Sequence, residues 1–472
     1  MNKTNDNLKK GIFQVLIVNI INLIITLITN FVLPKHLSTE TYAAIKSYQF
    51  YMNYIGILHL GYADGLYLKY GGKTYQEINM EIFIGELSTF RNFQLLIQLF
   101  FTFFALLNKD IVTILVALSI LPYNMFMGFK SIFQAIGDFK SYSKAINYNT
   151  LLLFLINIIA LFIIHTDFSI IYLAGYLTCY IWIWIALEFR IGKVTNSHFT
   201  DYLKFNFKNL TDNIRSGILL MLGNFSSIIL TGMDRWFIKF LMSTISFAQY
   251  SFAVSIENFI NFAVTPISTT LYNYFCRKIT DQQIKHIRDL VMIFSAFLIS
   301  AAFPAKFILE IYLTQYIAAK DVIFYLFVGQ FFFIQVKSIY VNLYKAQKMQ
   351  RRYFAKLFFI VVLGALLNSV LYTFLKSKEA FAVGTMLTAA IWLLWSSIDF
   401  PIINMHIREY MYLCIIPIVF FLCGQISYTI IGLLLYILIT TLVTYLLKKD
   451  EFYYIVKYTN ILIHKYLFRT HN

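Results

Sequence analysis

Apolar runs of about twenty residues, the length a helix needs to cross the hydrocarbon layer of a bilayer, recur along the whole chain. In the first half they cover residues 12–33, 42–63, 87–107, 111–136, 148–164 and 170–189. After a more polar stretch they resume at 216–236, 247–275, 290–313, 322–344, 354–375 and 380–400, and end with 410–424 and 427–447. The pattern predicts an all-α integral membrane protein of about 14 transmembrane helices, because only closed hydrogen-bonded helices or barrels tolerate lipid. Its expected organisation is an N-terminal six-helix lobe (1–190), a cytoplasmic linker (191–215), a C-terminal six-helix lobe (216–400), and two extra helices with a basic tail (401–472). Within the linker, Phe199, Tyr202, Leu203, Phe207 and Leu210 recur at roughly helical spacing, which predicts an interfacial helix.

The polar gaps between runs carry the orientation. With the amino terminus inside, the gaps on that side hold Lys69 and Lys73, Lys140 and Lys144, the basic linker, Arg277 to Arg288, Lys345 to Lys356 and the basic tail. The opposite gaps hold far fewer cations, among them Lys35, Lys109, Lys239, Lys306 and Lys320. Basic residues near membrane helices stay cytoplasmic, so both termini are placed inside a bacterial inner membrane. Residues 1–10 are polar and basic, but the run that follows is too long for a signal peptide and lacks a small-residue cleavage site, so it is read as a retained first span.

Composition sharpens this picture. With 59% hydrophobic and 13% charged residues among 472, the apolar surface must face lipid. The net charge of +16 lies in short connections rather than on one folded face, which points to topology and anionic headgroups and away from nucleic acid. Cys179, Cys276, Cys414 and Cys423 show no ligand spacing and read as small core residues. No Walker sequence, Ser-His-Asp arrangement or His/Glu metal pattern is present, so no cofactor, metal or enzymatic activity is expected.

Weak internal repetition supports two parallel halves. Tyr42-Ala43-Ala44-Ile45 is echoed by Phe247-Ala248-Gln249-Tyr250, and Ala135, Lys140 and Tyr142 by Ala346, Arg351 and Tyr353. Six helices per half is an even number, so the halves are related by an axis along the membrane normal.

Two sequence stretches carry a resemblance. The run Leu33-Pro34-Lys35-His36-Leu37-Ser38-Thr39-Glu40-Thr41-Tyr42, followed by Leu60-Gly61-Tyr62-Ala63-Asp64-Gly65, resembles the first helical hairpin of polysaccharide flippases of the Wzx type. Met233-Asp234-Arg235-Trp236-Phe237-Ile238 and Tyr250-Ser251-Phe252-Ala253 resemble the same family at the end of its seventh helix and beyond. The chain departs from the family pattern at Ala43-Ala44 and Phe247-Ala248, where glycine is usual. The resemblance implies export of undecaprenyl-pyrophosphate-linked oligosaccharide repeat units, by two helical bundles forming a V around a cavity that opens alternately to each side. It makes the lipid-linked oligosaccharide and membrane lipids the expected partners, with a polysaccharide polymerase and a chain-length regulator as candidate protein partners.

An anionic pyrophosphate calls for Lys or Arg at membrane depth, where such residues are costly and functional by default. Lys130 and Lys337 lie on corresponding helices of the two halves, and a shift of about 211 residues carries Lys130 to within one turn of Lys337. Snorkelling to the cytoplasmic headgroups is the competing reading for both, as it is for Arg91 and Lys46. Arg235 sits beside Asp234, so an ion pair at the outer helix end competes with a cargo role that the family motif favours. Glu257, deep in the eighth run, and Asp64, closing the second, are the candidates for coupling to an ion. Two rival functions remain at this stage: a multidrug-type cation-coupled exporter, which would want acidic cavity residues, and a membrane glycan polymerase or ligase, which would want a sizeable outer loop.

Overall fold

A computed structural model of the chain describes residues 22–195, 204–275 and 280–457. Among the described residues every regular element is a helix. Two compact units divide the chain, Met1–Thr231 and Gly232–Asn472.

The first unit begins with α1 (22–36) and α2 (Thr39–Ile55), followed by α3 (Tyr62–Tyr70), α4 (Met80–Asn108), α5 (Ile111–Leu118) and α6 (Ile120–Ala135). It continues with α7 (Phe139–Ile158), α8 (Ser169–Thr195) and most of α9 (Phe207–Leu241). Starts follow local chemistry: the side chains of Ser38, Asn79, Asp110 and Asp138 accept backbone N–H groups of the first turns of α2, α4, α5 and α7. Helix α6 is the axis of this unit, packed by α3, α4, α7 and α8. Its Phe129 and Phe133 join Tyr62, Leu66 and Phe90 in one core, where Tyr62 stacks on Phe90 at 5.1 Å.

The second unit contains the end of α9, then α10 (Thr244–Glu257), α11 (Ile260–Phe275), α12 (Asp281–Leu298), α13 (Ala302–Ile311), α14 (Lys320–Gln335) and α15 (Val341–Ala346). It closes with α16 (Gln350–Leu375), α17 (Lys378–Ile398), α18 (Ile407–Gly424) and α19 (Thr429–Leu447). Helix α14 is hydrophobic all round and therefore central, packed by α10, α12 and α17. The rings of Phe303, Phe324, Phe420 and Tyr436 meet at 5.0–5.6 Å and bind α18 and α19 to α13 and α14.

Nine of the described helices are long and apolar enough to cross a bilayer, or up to eleven when each of two bent pairs is counted as one span. The expected count of about fourteen is thus not met by continuous helices, for three local reasons. Run 12–33 lies partly outside the described residues. Run 42–63 breaks: α2 gives way to a 3₁₀ turn at Gly56–His59, and Leu60 and Gly61 take positive φ before α3 starts. Run 247–275 breaks between α10 and α11, at Asn258 and Phe259. The short run near 410 does form a helix, α18, which passes as a span.

Phe199, Tyr202 and Leu203 of the expected interfacial helix lie outside the described residues, as does Cys276. Phe207 and Leu210 instead belong to the first turn of α9, where Leu210 is buried in the core of the first unit. Here α9 crosses the broken corner backbone to backbone. A Cβ on Gly217 would strike the Gly61 carbonyl and the Gly65 amide, and one on Gly65 would strike the Asn213 carbonyl. Neither neighbour is a flexible side-chain end that could swing away, so glycine is obligatory at this crossing. Gly217→Ala is expected to cost about 1–3 kcal/mol through overpacking, read as a lowered Tm of the detergent-solubilised protein. An unchanged Tm would show that the crossing is looser than described.

Candidate functional site

The ionisable groups at membrane depth decide what this protein can hold, because each must be matched by a partner or by a ligand. In the first unit, Arg91 of α4 pairs with Glu188 of α8, whose other oxygen accepts the indole N–H of Trp184. Its second guanidinium nitrogen donates to Ser88 Oγ at 3.2 Å, and Ser88 in turn donates to the Lys204 carbonyl at 2.7 Å. Arg91 therefore ties α4, α8 and the entry to α9 together. Lys46 of α2 donates to Asn30 Oδ1 at 2.9 Å and lies over the Tyr42 ring at 5.3 Å. Asp64 sits at the broken corner, 3.7 Å from His59 Nε2, while His59 Nδ1 accepts the Gly61 N–H at 3.0 Å.

Lys130 differs from all of these. It lies on α6, half-buried, and makes no hydrogen bond, ion pair or ring contact with any described residue.

In the second unit the deep charges gather. Asp234 Oδ1 accepts the Arg235 backbone N–H at 2.7 Å, and Oδ2 accepts the Tyr250 hydroxyl at 2.6 Å. Glu257, the last residue of α10, accepts from Gln330 Nε2 at 2.5 Å. Lys337 lies two turns after Gln330, with its ammonium 5.3 Å from the Phe333 ring centroid. Between Leu326 and Tyr340 it is the one position that is not fully buried.

A π-helical turn, Val336–Tyr340, follows α14 and holds Lys337. Its widened winding is supported by Ser268 Oγ, which donates to the Lys337 carbonyl at 3.1 Å, and by Asn342, which donates to the Ser268 carbonyl at 2.7 Å. Such single-turn insertions occur often at functional sites. Tyr250, which bonds Asp234, and Glu257, which bonds Gln330, lie two turns apart on α10 of the second unit. Among the described residues no group of three or more His, Cys, Asp or Glu side chains is placed to hold a metal ion.

Several charged residues that the sequence showed only as topology-marking cations, or not at all, are buried in partnerships. Glu86 is fully buried and accepts from Lys69 at 2.6 Å, Tyr70 at 2.5 Å and Asn213 at 3.0 Å. At the 281 end of α12, Arg288, Asp289, Glu409 and Lys448 form a buried network: Lys448 Nζ lies 2.9 Å from Asp289 and 2.5 Å from Glu409. Lys306 donates to the carbonyls of Gly424 at 2.9 Å and Ile426 at 2.7 Å, capping the end of α18. Glu188 carried a usable signal, since an acid inside an apolar run demands a partner.

Comparison with known proteins adds the fold. No family model matches the sequence, and no curated protein matches it. Among solved structures, the lipid II flippase MurJ in an inward closed conformation superposes with a TM-score of 0.62, over 92% of this chain and 98% of that one, at 14% identity. The chain has the fold of that flippase. An inward-facing multidrug resistance transporter of the MATE family, in the MOP superfamily, aligns over 81% of this chain and 98% of its own at 14% identity, with a TM-score of 0.48. The molecule is a multi-pass membrane protein with a transporter fold.

The Arg91–Glu188 pair separates a structural role from a cargo-binding one. Arg91→Met or Glu188→Leu alone leaves one charge uncompensated and is expected to cost about 1–3 kcal/mol, while the double substitution recovers most of the loss. Melting curves of the three purified variants read this cycle, and additive losses would show that the two side chains do not act on each other.

Proposed function

We propose that this chain is a flippase that carries a polyprenyl-pyrophosphate-linked oligosaccharide repeat unit from the cytoplasmic to the outer leaflet by alternating access, in the synthesis of a surface polysaccharide. The observation that carries this reading is the unmatched charge of Lys130. Three of the other deep cations each have a contact of their own: Arg91 pairs with Glu188, Lys46 donates to the Asn30 amide, and Lys337 lies over the Phe333 ring. A cation left uncompensated in a low-dielectric setting is a standing demand for an anion, and a pyrophosphate meets it with several acceptor oxygens. The flippase fold, together with the resemblance around Leu33 to Gly65 and Met233 to Ala253, supports a lipid-linked cargo.

In this reading the second unit has a cation of its own in Lys337, with Glu257 as an acid of the same unit. When the phosphate engages Lys337, the acid loses a countercharge and favours a proton or another cation, which would couple transport to an ion gradient. The inside-negative potential also assists, since outward movement of each negative charge is downhill by about 2.3 kcal/mol per 100 mV. The proposal places the protein in the bacterial inner membrane with both termini cytoplasmic, next to the enzymes that polymerise the exported units.

Lys130→Ala combined with Lys337→Ala is expected to leave the protein inserted at normal levels while lipid-linked repeat units accumulate on the inner leaflet. Leaflet-resolved labelling of the glycan, with protein abundance measured in the same membranes, checks this. Normal surface polysaccharide in the double variant would remove both lysines from the mechanism.

A further inference from the structure

Helix α6 has 16 residues, of which eleven are buried. The other five are Tyr123, Met127, Lys130, Ser131 and Gln134, at relative positions 0, 4, 7, 8 and 11, so they form one continuous stripe along a single helix face. The remaining faces are covered by α3, α4, α7 and α8.

The makeup of this stripe tells what it meets. In the same unit, α4 presents Leu96, Leu99, Phe100, Phe103 and Leu107 as exposed side chains, a purely apolar face of the kind acyl chains solvate. The α6 stripe instead carries a cation, two hydroxyls, an amide and one thioether. Facing acyl chains, the lysine would cost several kcal/mol. A polar occupant removes that cost, and the uncompensated charge of Lys130 fixes the occupant's sign.

We infer that this stripe binds the head of the cargo in a defined order, with Lys130 taking the pyrophosphate and Tyr123 stacking on the first sugar ring. The inference rests on the flippase reading above and goes beyond it by assigning the sugar to a residue. Seven positions separate Tyr123 from Lys130, which is about 10 Å along the helix axis, a span that the flexible four-carbon stem of the lysine and the pyrophosphate cover together. Tyr123 is already held in place by an edge contact with Tyr180, ring centroids 5.2 Å apart at 84°. A ring fixed in advance loses little freedom on stacking, so most of the contact energy becomes affinity. Met127 lies between the two, packed against the core of the unit with only part of its thioether side chain left exposed. Ser131 and Gln134 sit on the far side of Lys130, within reach of phosphate oxygens. With the topology proposed above, α6 runs towards the cytoplasm, so Lys130 is nearer the leaflet where the pyrophosphate enters and the sugar leads outward.

The test uses the full chain in lipid nanodiscs and two probes that differ only in the sugar: farnesyl pyrophosphate and N-acetylglucosaminyl farnesyl pyrophosphate. Titration calorimetry gives the Kd of each. Lys130→Ala should weaken both probes at least tenfold. Tyr123→Ala should weaken the glycosylated probe about three- to tenfold and leave farnesyl pyrophosphate at the unsubstituted Kd, which also shows that the variant is folded. Tyr123→Phe should bind both probes as the unsubstituted chain does. Equal effects of Tyr123→Ala on the two probes, or no effect on either, overturn the assignment of the sugar while leaving the flippase reading intact. Indifference of both probes to Lys130→Ala, or no binding of either to the unsubstituted chain, overturns the flippase reading and the assignment together.

Discussion

Hydrocarbon solvates no charge and no open backbone hydrogen-bond group, and nearly every specific feature of this protein is an answer to that constraint. The second unit shows the answer at its fullest. Arg288 is fully buried, yet its guanidinium contacts Asp289 at 2.7 Å and the carbonyls of Ile403 at 2.5 Å and Asn404 at 3.2 Å, and Lys448 completes the balance with Glu409. Two cations and two anions cancel, and no donor of the guanidinium is left facing lipid. Glu86 in the first unit is satisfied in the same way by Lys69, Tyr70 and Asn213. Against this background Lys130, with no hydrogen bond, ion pair or ring contact to any described residue, requires a functional account.

The same constraint governs the backbone. Where α2 stops at the Gly56–His59 turn, carbonyls that an unbroken helix would satisfy are released. Two buried amides from neighbouring helices approach them: Asn124 Nδ2 lies 3.4 Å from the Ile55 carbonyl and Gln94 Nε2 lies 3.4 Å from that of Leu58, and the two amides bond each other at 2.7 Å. The π turn around Lys337 is treated likewise by Ser268. Irregular backbone at membrane depth survives only where protein surrounds it, and both breaks lie against the most buried helices of their units, α6 and α14.

This explains which parts of the structure could be read from the sequence. The apolar runs register the solvent, so the class of fold and most helix positions were legible in them. Helix breaks are set by tertiary partners and were not. Prolines are the obvious sequence markers of a kink, yet Pro266 and Pro417 lie inside helices that continue past them, whereas the breaks fall at Leu60–Gly61, Ser119 and Asn258–Phe259. Deep charges were visible one at a time, but their partners come from distant segments. Arg91 was noted and Glu188 was not, although the second decides the role of the first. The stripe on α6 was hidden for the same reason: which five of sixteen positions escape full burial depends on how the neighbouring helices cover the rest.

The C-terminal hairpin of α18 and α19 shows what pairing of this kind accomplishes. It could be an appendage, since it follows a complete set of core helices. Instead it is fastened near both of its ends and in between. Lys448 and Glu409 join the Arg288–Asp289 network at one end, and Lys306 with Glu310 holds Gly424, Ile426 and Thr429 at the other. Midway, the Tyr436 hydroxyl donates to the Ala296 carbonyl at 2.7 Å within a cluster of phenylalanine rings. Apolar packing alone discriminates poorly between neighbours inside a membrane, because lipid tails are as apolar as leucine. Buried charges do discriminate, since moving the hairpin by one turn would leave at least one of them unmatched. The hairpin is therefore held in a single register on the second unit, the same compact unit that contains Glu257 and Lys337.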